Sequence, residues 1–359
     1  MTDFFFISSP LHLMMAANMV IRQPSAERVA VLIAKSAAAN TRYAAFLRQV
    51  PLLFSEVVVV PPPERRLCRF SRSPAARLLR QVFERPMAAR IFTGNDRRIE
   101  FQYAMHIASR INRDVEGLYL DEGAVTYTGH KSMHSIQHRY VDPLFKKLVY
   151  GSWYRQAMTT GTSAWVDTVY AAFPSAVHPL LRGKKVLPID PAPFATDAFK
   201  ALALAMLNGH EEYREGLRGI RVVITLPHEG SYINRPARYQ AISRDLAAVF
   251  EPAQIAVKPH PRITDAGLVR QMFPGALLLD HTVGMEALLP LLGGRCLVVG
   301  DISSTLLTTR WLRPDLPVVA VLSPDTPAGA LGGLYETLHI PMLAPEALAA
   351  WLDVSVSPV

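Results

Sequence analysis

The sequence predicts an α/β protein of two doubly wound domains facing a central cleft. Its 359 residues exceed one typical domain and suit two, each large enough to bury its own core. Short apolar β-branched runs alternate with helical stretches along the chain, the pattern of parallel sheets. One break interrupts that alternation, where Pro179, Gly183, Lys184, Lys185, Pro188, Pro191 and Pro193 precede a helix-like Thr196–Leu207. The break divides the chain into an N-terminal domain over 1–176, a linker and hinge helix over 177–217, and a C-terminal domain over 218–359.

In chain order, Phe4–Ile7, Arg28–Ile33, Val57–Val60, Gly117–Leu120, Arg221–Leu226, Gln254–Val257, Ala276–Leu279, Arg295–Val299 and Pro317–Val321 read as short buried strands. The helical candidates between them include Leu11–Ile21, Thr41–Gln49, Ile99–Arg110, Ala237–Val249 and Glu286–Leu292. No internal repeat or low-complexity segment stands out apart from the Pro61-Pro62-Pro63 turn.

Half the residues are hydrophobic, which marks a folded chain, yet no uninterrupted apolar run approaches the roughly 20 residues that span a bilayer. Asp3 precedes Phe4-Phe5-Phe6-Ile7 and no basic region leads into it, so a cytoplasmic protein is expected. Cys68 and Cys296 are far apart and lack Cys-x-x-Cys spacing, which argues for two reduced thiols over a disulfide framework or a thiolate zinc site.

The net charge of +8 implies an anionic partner. Arg65, Arg66, Arg69, Arg72, Arg77, Arg80, Arg85 and Arg90 form a tract opposed only by Glu84. A second basic stretch, Arg139 to Arg155, interleaves Lys146 and Lys147 with Tyr140, Phe145, Tyr150, Trp153 and Tyr154. Aromatics beside cations suit a helix lying on an anionic membrane leaflet; a solvated basic face over core aromatics is the equally weighted alternative. No zinc-finger, helix-turn-helix or RNP-type pattern supports a nucleic-acid partner.

Three segments carry candidate chemistry. Asp121-Glu122-Gly123 follows the strand run Gly117–Leu120, so two carboxylates fall past the carboxyl end of a strand, where open α/β sheets bind ligands. Asp121 or Glu122 can accept a proton there, if burial and its like-charged neighbour lift its pKa, and Gly123 permits a sharp turn. By itself the motif is weak, because acid-acid-Gly is more often an ordinary turn than a functional site. In Lys258-Pro259-His260-Pro261 the prolines end the preceding strand and hold His260 at the sheet edge to meet a phosphate, with Lys258 adding positive field. In Gly300-Asp301-Ile302-Ser303-Ser304, hydroxyls and free amides open a helix, an anion site or a simple N-cap. Glu286 offers a carboxylate to ribose hydroxyls. His130, His134 and His138 recur every four residues, but no cysteine or carboxylate completes a metal set.

The chain resembles the bacterial GT-B sialyltransferases, the group that includes polysialyltransferases and lipooligosaccharide sialyltransferases. The resemblance rests on acid-acid-Gly at 121–123, His-Pro at 260–261, the double serine at 303–304 and the opening Phe6-Ile7-Ser8-Ser9-Pro10-Leu11-His12-Leu13, in the family's order and approximate spacing. Family members often carry glutamine near position 12, where this chain has His12. The resemblance implies Asp121 as base for the acceptor hydroxyl, His260 as acid toward the CMP phosphate, Ser303 and Ser304 on that phosphate or the sugar carboxylate, Glu286 at the ribose, and Ser8 and Ser9 lining the cleft.

One phosphate can be neutralised by Lys258, His260 and a helix N-terminus without magnesium, and no Asp-x-Asp motif is present. The expected function is inverting, cofactor-free transfer of sialic acid or a related 2-keto-3-deoxy acidic sugar from CMP to a lipooligosaccharide or capsule glycan. The expected location is the inner face of the bacterial inner membrane. Two other readings remain open at this point: a CDP-alcohol phosphotransferase, and a silent membrane-associated scaffold for glycan assembly.

Overall fold

The computed structural model describes residues 2–355 except 24–26, 63–69, 85–87, 131–134, 136, 208–212, 229, 231–235, 264 and 323–328. The chain forms two compact units, Met1–Ala205 and Met206–Val359.

In the first unit, β1 (Thr2–Ile7), β2 (Glu27–Leu32), β3 (Glu56–Val59), β4 (Ala88–Thr93), β5 (Glu116–Leu120), β6 (Thr168–Ala171) and β7 (Lys185–Pro188) form one sheet. Its order is β3-β2-β1-β4-β5-β6-β7 and every neighbouring pair is parallel. The interior strand β1 carries a dense apolar run: Phe4, Phe5, Phe6 and Ile7 are all buried. Phe5 stacks on Phe92 of β4 at 4.5 Å, and Phe4 meets Phe83 of the flanking helix Pro74–Glu84 at 4.2 Å.

Strands β4, β6 and β7 and helix Pro74–Glu84 lie outside the elements expected from sequence. Strand β4 starts inside the arginine tract, whose charges obscure it. The Arg90 guanidinium bonds the buried Asp3 carboxylate (Nε to Oδ1, 3.0 Å) and Gln23 (2.7 Å). Arg80 bonds the Tyr103 hydroxyl at 2.9 Å. Arg80 and Arg90 of that tract thus serve the fold, while Arg65, Arg66, Arg69 and Arg85 lie outside the described residues. Strand β7 falls within the segment read as a linker, and as the edge strand it tolerates Pro188 at its end. The Asn18 amide of the first helix, Pro10–Arg22, also bonds the Asp190 carbonyl at 2.8 Å. Residues 177–205 therefore belong to the first unit.

The long crossover between helix Asp142–Tyr150 and β6 is tied down by buried polar groups. The Asp96 carboxylate accepts the N–H of Gly161 (2.8 Å) and Ser163 (2.7 Å), and Gln102 bonds Arg155 N–H and carbonyl at 2.9 and 2.8 Å. Buried Tyr119 shares its hydroxyl with Thr126 and Thr160.

In the second unit, β8 (Val222–Thr225), β9 (Ile255–Lys258), β10 (Leu277–Leu278), β11 (Leu297–Gly300), β12 (Val318–Val321) and β13 (Met342–Leu343) form a parallel sheet ordered β10-β9-β8-β11-β12-β13. Val222, Ile224, Val257, Val299 and Val319 pack against Leu246, Leu348 and Leu352 of the helices Pro236–Val249 and Leu348–Ser355. Gly300 is required by close approach: a Cβ there would stand 2.1 Å from Thr225 Oγ1. Burial pushes the Cys296 thiol up to about 12, consistent with an inert structural thiol; Cys68 lies outside the described residues.

Among the described residues no helix is long and apolar enough to cross a membrane. Helix Asp142–Tyr150 buries none of its residues. With the turn before it, it exposes Tyr140, Val141, Leu144, Phe145 and Leu148 by 53% to 83%.

Asp96→Ala leaves two buried N–H groups without partners, at about 1–3 kcal/mol each, so chemical denaturation should show a loss of about 2–6 kcal/mol.

Candidate active site

Parallel strands bring every strand's carboxyl end to one edge of its sheet. In each unit the strand order reverses once at the centre, between β1 and β4 and between β8 and β11. Such reversals open the crevice where doubly wound sheets bind ligands.

At the first edge, β1 runs into Ser8-Ser9-Pro10. Ser9 caps helix Pro10–Arg22 by accepting the His12 N–H at 3.2 Å, and Pro10 fits its first turn. The His12 ring is thereby turned inward, its Nδ1 3.0 Å from Ser8 Oγ. It lies over Gly94 so closely that a Cβ there would stand 2.2 Å from the ring. Burial, helped by the Arg98 cation, lowers His12 to about 4, so the imidazole is neutral at pH 7. Its Nε2 has no hydrogen-bond partner and sits 3.7 Å from Glu122 Oε1.

The two acids after β5 have different surroundings, as residues on opposite faces of a strand end must. Asp121 is buried, and its oxygens accept the N–H of Gly123 (2.7 Å), the N–H of Ala172 (2.9 Å) and the Tyr127 hydroxyl. It fastens the end of β5 to the end of β6; burial raises its pKa against those bonds. Glu122 keeps 24% of its side chain exposed and accepts one bond, from Asn95 Nδ2 at 3.2 Å. Burial pushes its carboxyl up to about 7, with the charges of Asp96 and Asp121 adding to the rise. Gly123, at φ 78° and ψ −137°, makes the turn that L side chains rarely adopt. Of the two acids, Glu122 alone combines solvent access with a pKa near neutrality.

At the second edge, Pro259 ends β9 and the Lys258 ammonium turns back to the carbonyls of Pro259 (2.9 Å) and His281 (3.3 Å). Burial lowers it to about 8, with Glu286 and Asp280 opposing. Lys258 thereby ties the turn that presents His260 to the segment at His281. His260 Nδ1 accepts the Arg262 N–H at 3.1 Å, which leaves the ring hydrogen of the neutral form on Nε2. Its pKa is lowered by burial and then by His228, Arg262 and Lys258. Glu286 opens a one-turn helix beyond β10, its carboxyl raised by burial and held back by Lys258.

Past β11, Ser303 stands at the start of helix Ser304–Leu312 without capping it. Its backbone is held by Tyr335, whose hydroxyl accepts the Ser303 N–H at 2.9 Å and donates to its carbonyl at 2.7 Å. The Ser303 Oγ is buried without a partner, which leaves a hydroxyl and first-turn amides for an anion. Ser304 is exposed beside it.

The structure thus joins Ser8, Ser9, His12, Glu122 and Gly123 at one edge, and Lys258, Pro259, His260, Glu286, Gly300, Ser303 and Ser304 along the other. Gly94 and Asn95 stand in no recognisable sequence motif, whereas Leu226-Pro227-His228 repeats the strand-Pro-His pattern of 257–260. Among the described residues no three His, Cys, Asp or Glu side chains gather as a metal site; His134 and the His138 side chain lie outside the described residues.

Solved structures share this architecture. An α/β-galactoside α-2,3-sialyltransferase from Photobacterium phosphoreum is 10% identical, with 96% of this chain and 98% of that one covered at a TM-score of 0.58. The GT-B domain of a Photobacterium damselae sialyltransferase is 13% identical over 96% and 100% of the two chains, at 0.52. A UDP-GlcNAc 2-epimerase from Neisseria meningitidis is 9% identical over 100% and 92%, at 0.54. These likenesses establish the GT-B fold, which hosts both transferases and an epimerase and so does not select the reaction. No curated protein matches the chain. The family model for alpha-2,8-polysialyltransferase (POLYST) matches residues 3–322, a span that takes in both carboxyl edges and all the motif residues on them. The chain therefore belongs to the alpha-2,8-polysialyltransferase family and is a glycosyltransferase of the sialyltransferase group.

Proposed function

We propose that the protein transfers sialic acid, or a related 2-keto-3-deoxy acidic sugar, from its CMP donor to a glycan hydroxyl, with inversion and without a divalent metal. The observation that carries this reading is the contrast at 121–122: one acid saturated with hydrogen bonds, and its neighbour accessible with a pKa near 7. A base of that pKa is half ionised at neutral pH, where proton abstraction is most effective. Glu122 thus replaces Asp121 as the proposed base.

Glu122 takes the acceptor O–H proton as that oxygen bonds the anomeric carbon, while the bond from this carbon to the CMP phosphate oxygen breaks. His260 Nε2–H stabilises the departing phosphate as a hydrogen-bond donor. Complete proton transfer is not required, because a phosphate monoester has its second pKa near about 6. The phosphate's negative charge opposes the surroundings that lower His260, so donor binding favours its protonated form. The Ser303 hydroxyl and the amides opening Ser304–Leu312 supply further donors. Attack opposite the leaving phosphate inverts the anomeric centre. The proposed acceptor is a lipooligosaccharide or capsule glycan at the inner membrane face.

The exposed stripe on Asp142–Tyr150 supports that location. Tyr140, Val141, Leu144, Phe145 and Leu148 are flanked by Arg139, Lys146 and Lys147, and Asp142, paired with Lys146 at 3.6 Å, is the only acid in this stretch. Apolar side chains rimmed by cations match an interfacial helix on anionic lipid.

Glu122→Gln should lower kcat by about 10²-fold or more with an unchanged Tm. Because the base must be ionised, wild-type kcat/KM should rise as pH rises through about 7, and the variant should lose that limb. Asp121→Asn should instead lower the Tm measurably, since it breaks the tie between β5 and β6. Activity with a CMP-sugar should survive EDTA. Leu144→Glu with Leu148→Glu should reduce sedimentation with vesicles containing anionic phospholipid and leave turnover of a soluble acceptor intact.

A further inference from the structure

We propose that His228 is a second phosphate-contacting residue of the donor site, so that His228 and His260 act as two Nε2–H prongs on one phosphate. This rests on the reading of the second unit's edge as the nucleotide site.

Sheet order places His228 centrally. His260 follows β9 and Ser303 follows β11; β8, which leads into His228, stands between them at the reversal of strand order. Strands β8 and β9 are in register at Thr225 and Lys258, so their Pro-His ends leave the sheet side by side. The two rings meet edge to face, with centroids 5.5 Å apart and planes at 65°.

The turns match in detail. His228 Nδ1 accepts the N–H of Gly230 at 3.3 Å, as His260 Nδ1 accepts that of Arg262 at 3.1 Å. The neutral form of each ring therefore carries its hydrogen on Nε2, directed away from its own turn. Pro227 and Pro259 fix the backbone entering each turn. His228 is exposed and His260 half-buried, so both rings are open to a ligand. His228 is also the first among the charges that disfavour a cation on His260, and an anion held by both rings removes that conflict. A structural pair has no need of two outward donors; a phosphate oxygen pair does.

The test is calorimetric titration of wild type, His228→Ala, His228→Gln and His260→Ala with CMP and with cytidine, which lacks the phosphate. Wild type should bind CMP more tightly than cytidine. His228→Ala should weaken CMP by about 10- to 100-fold, with cytidine affinity and Tm unchanged. His228→Gln, which retains an N–H donor, should recover part of the loss, and His260→Ala should show the same selective loss as His228→Ala. Unchanged CMP affinity in His228→Ala, or equal weakening of CMP and cytidine in both His228 variants, overturns the assignment while leaving the donor reading intact. A wild type that binds CMP no better than cytidine overturns both.

Discussion

Parallel strand pairing is the constraint on which the rest depends. Both sheets are parallel throughout their described strands, so all strand ends of one polarity collect on one edge, and the chain must pass from each into a crossover there. Short turns at those ends are where a side chain can be fixed by backbone bonds and still meet solvent. Ser8-Ser9, Glu122-Gly123, Pro227-His228, Pro259-His260 and Ser303 all occupy such turns.

Desolvation then assigns the roles. At the first edge it lowers His12 to about 4 and raises Glu122 to about 7, so a neutral imidazole faces a readily protonated carboxyl where an ion pair would otherwise be read from their 3.7 Å separation. Asp121 is more deeply buried and accepts three hydrogen bonds, which fasten the end of β5 to the end of β6. At the second edge the buried Lys258 ammonium is compensated by carbonyls and so shapes the His260 turn. In each pair of neighbours, one group has its polar atoms engaged by the backbone, and the other has an atom left over to meet a ligand.

Much of this was legible in the sequence because it is carried by local pattern. The apolar runs Gly117–Leu120, Gln254–Val257 and Arg295–Val299 became buried strands, and the acid-acid-Gly, His-Pro and Ser-Ser segments fell past their carboxyl ends. What escaped is set by long-range partners. Strand β4 was hidden by Arg90, whose charge is met by Asp3 and which also bonds Gln23, and β7 by a proline that only an edge position permits. Which of Asp121 and Glu122 is free depends on Ala172 and Tyr127, and the seat of His12 depends on the missing side chain at Gly94. Neither relation has a signature in one chain's residue order.

The most direct test of the central claim is mass-detected product formation by the purified protein in EDTA, with CMP-sialic acid, CMP-Kdo and CDP-glycerol offered alongside a glycan acceptor panel. The expected result is CMP release coupled to transfer of an acidic sugar from a CMP donor, lost in Glu122→Gln and His260→Ala. Turnover of CDP-glycerol alone, or sugar transfer that persists undiminished in both variants, would contradict it.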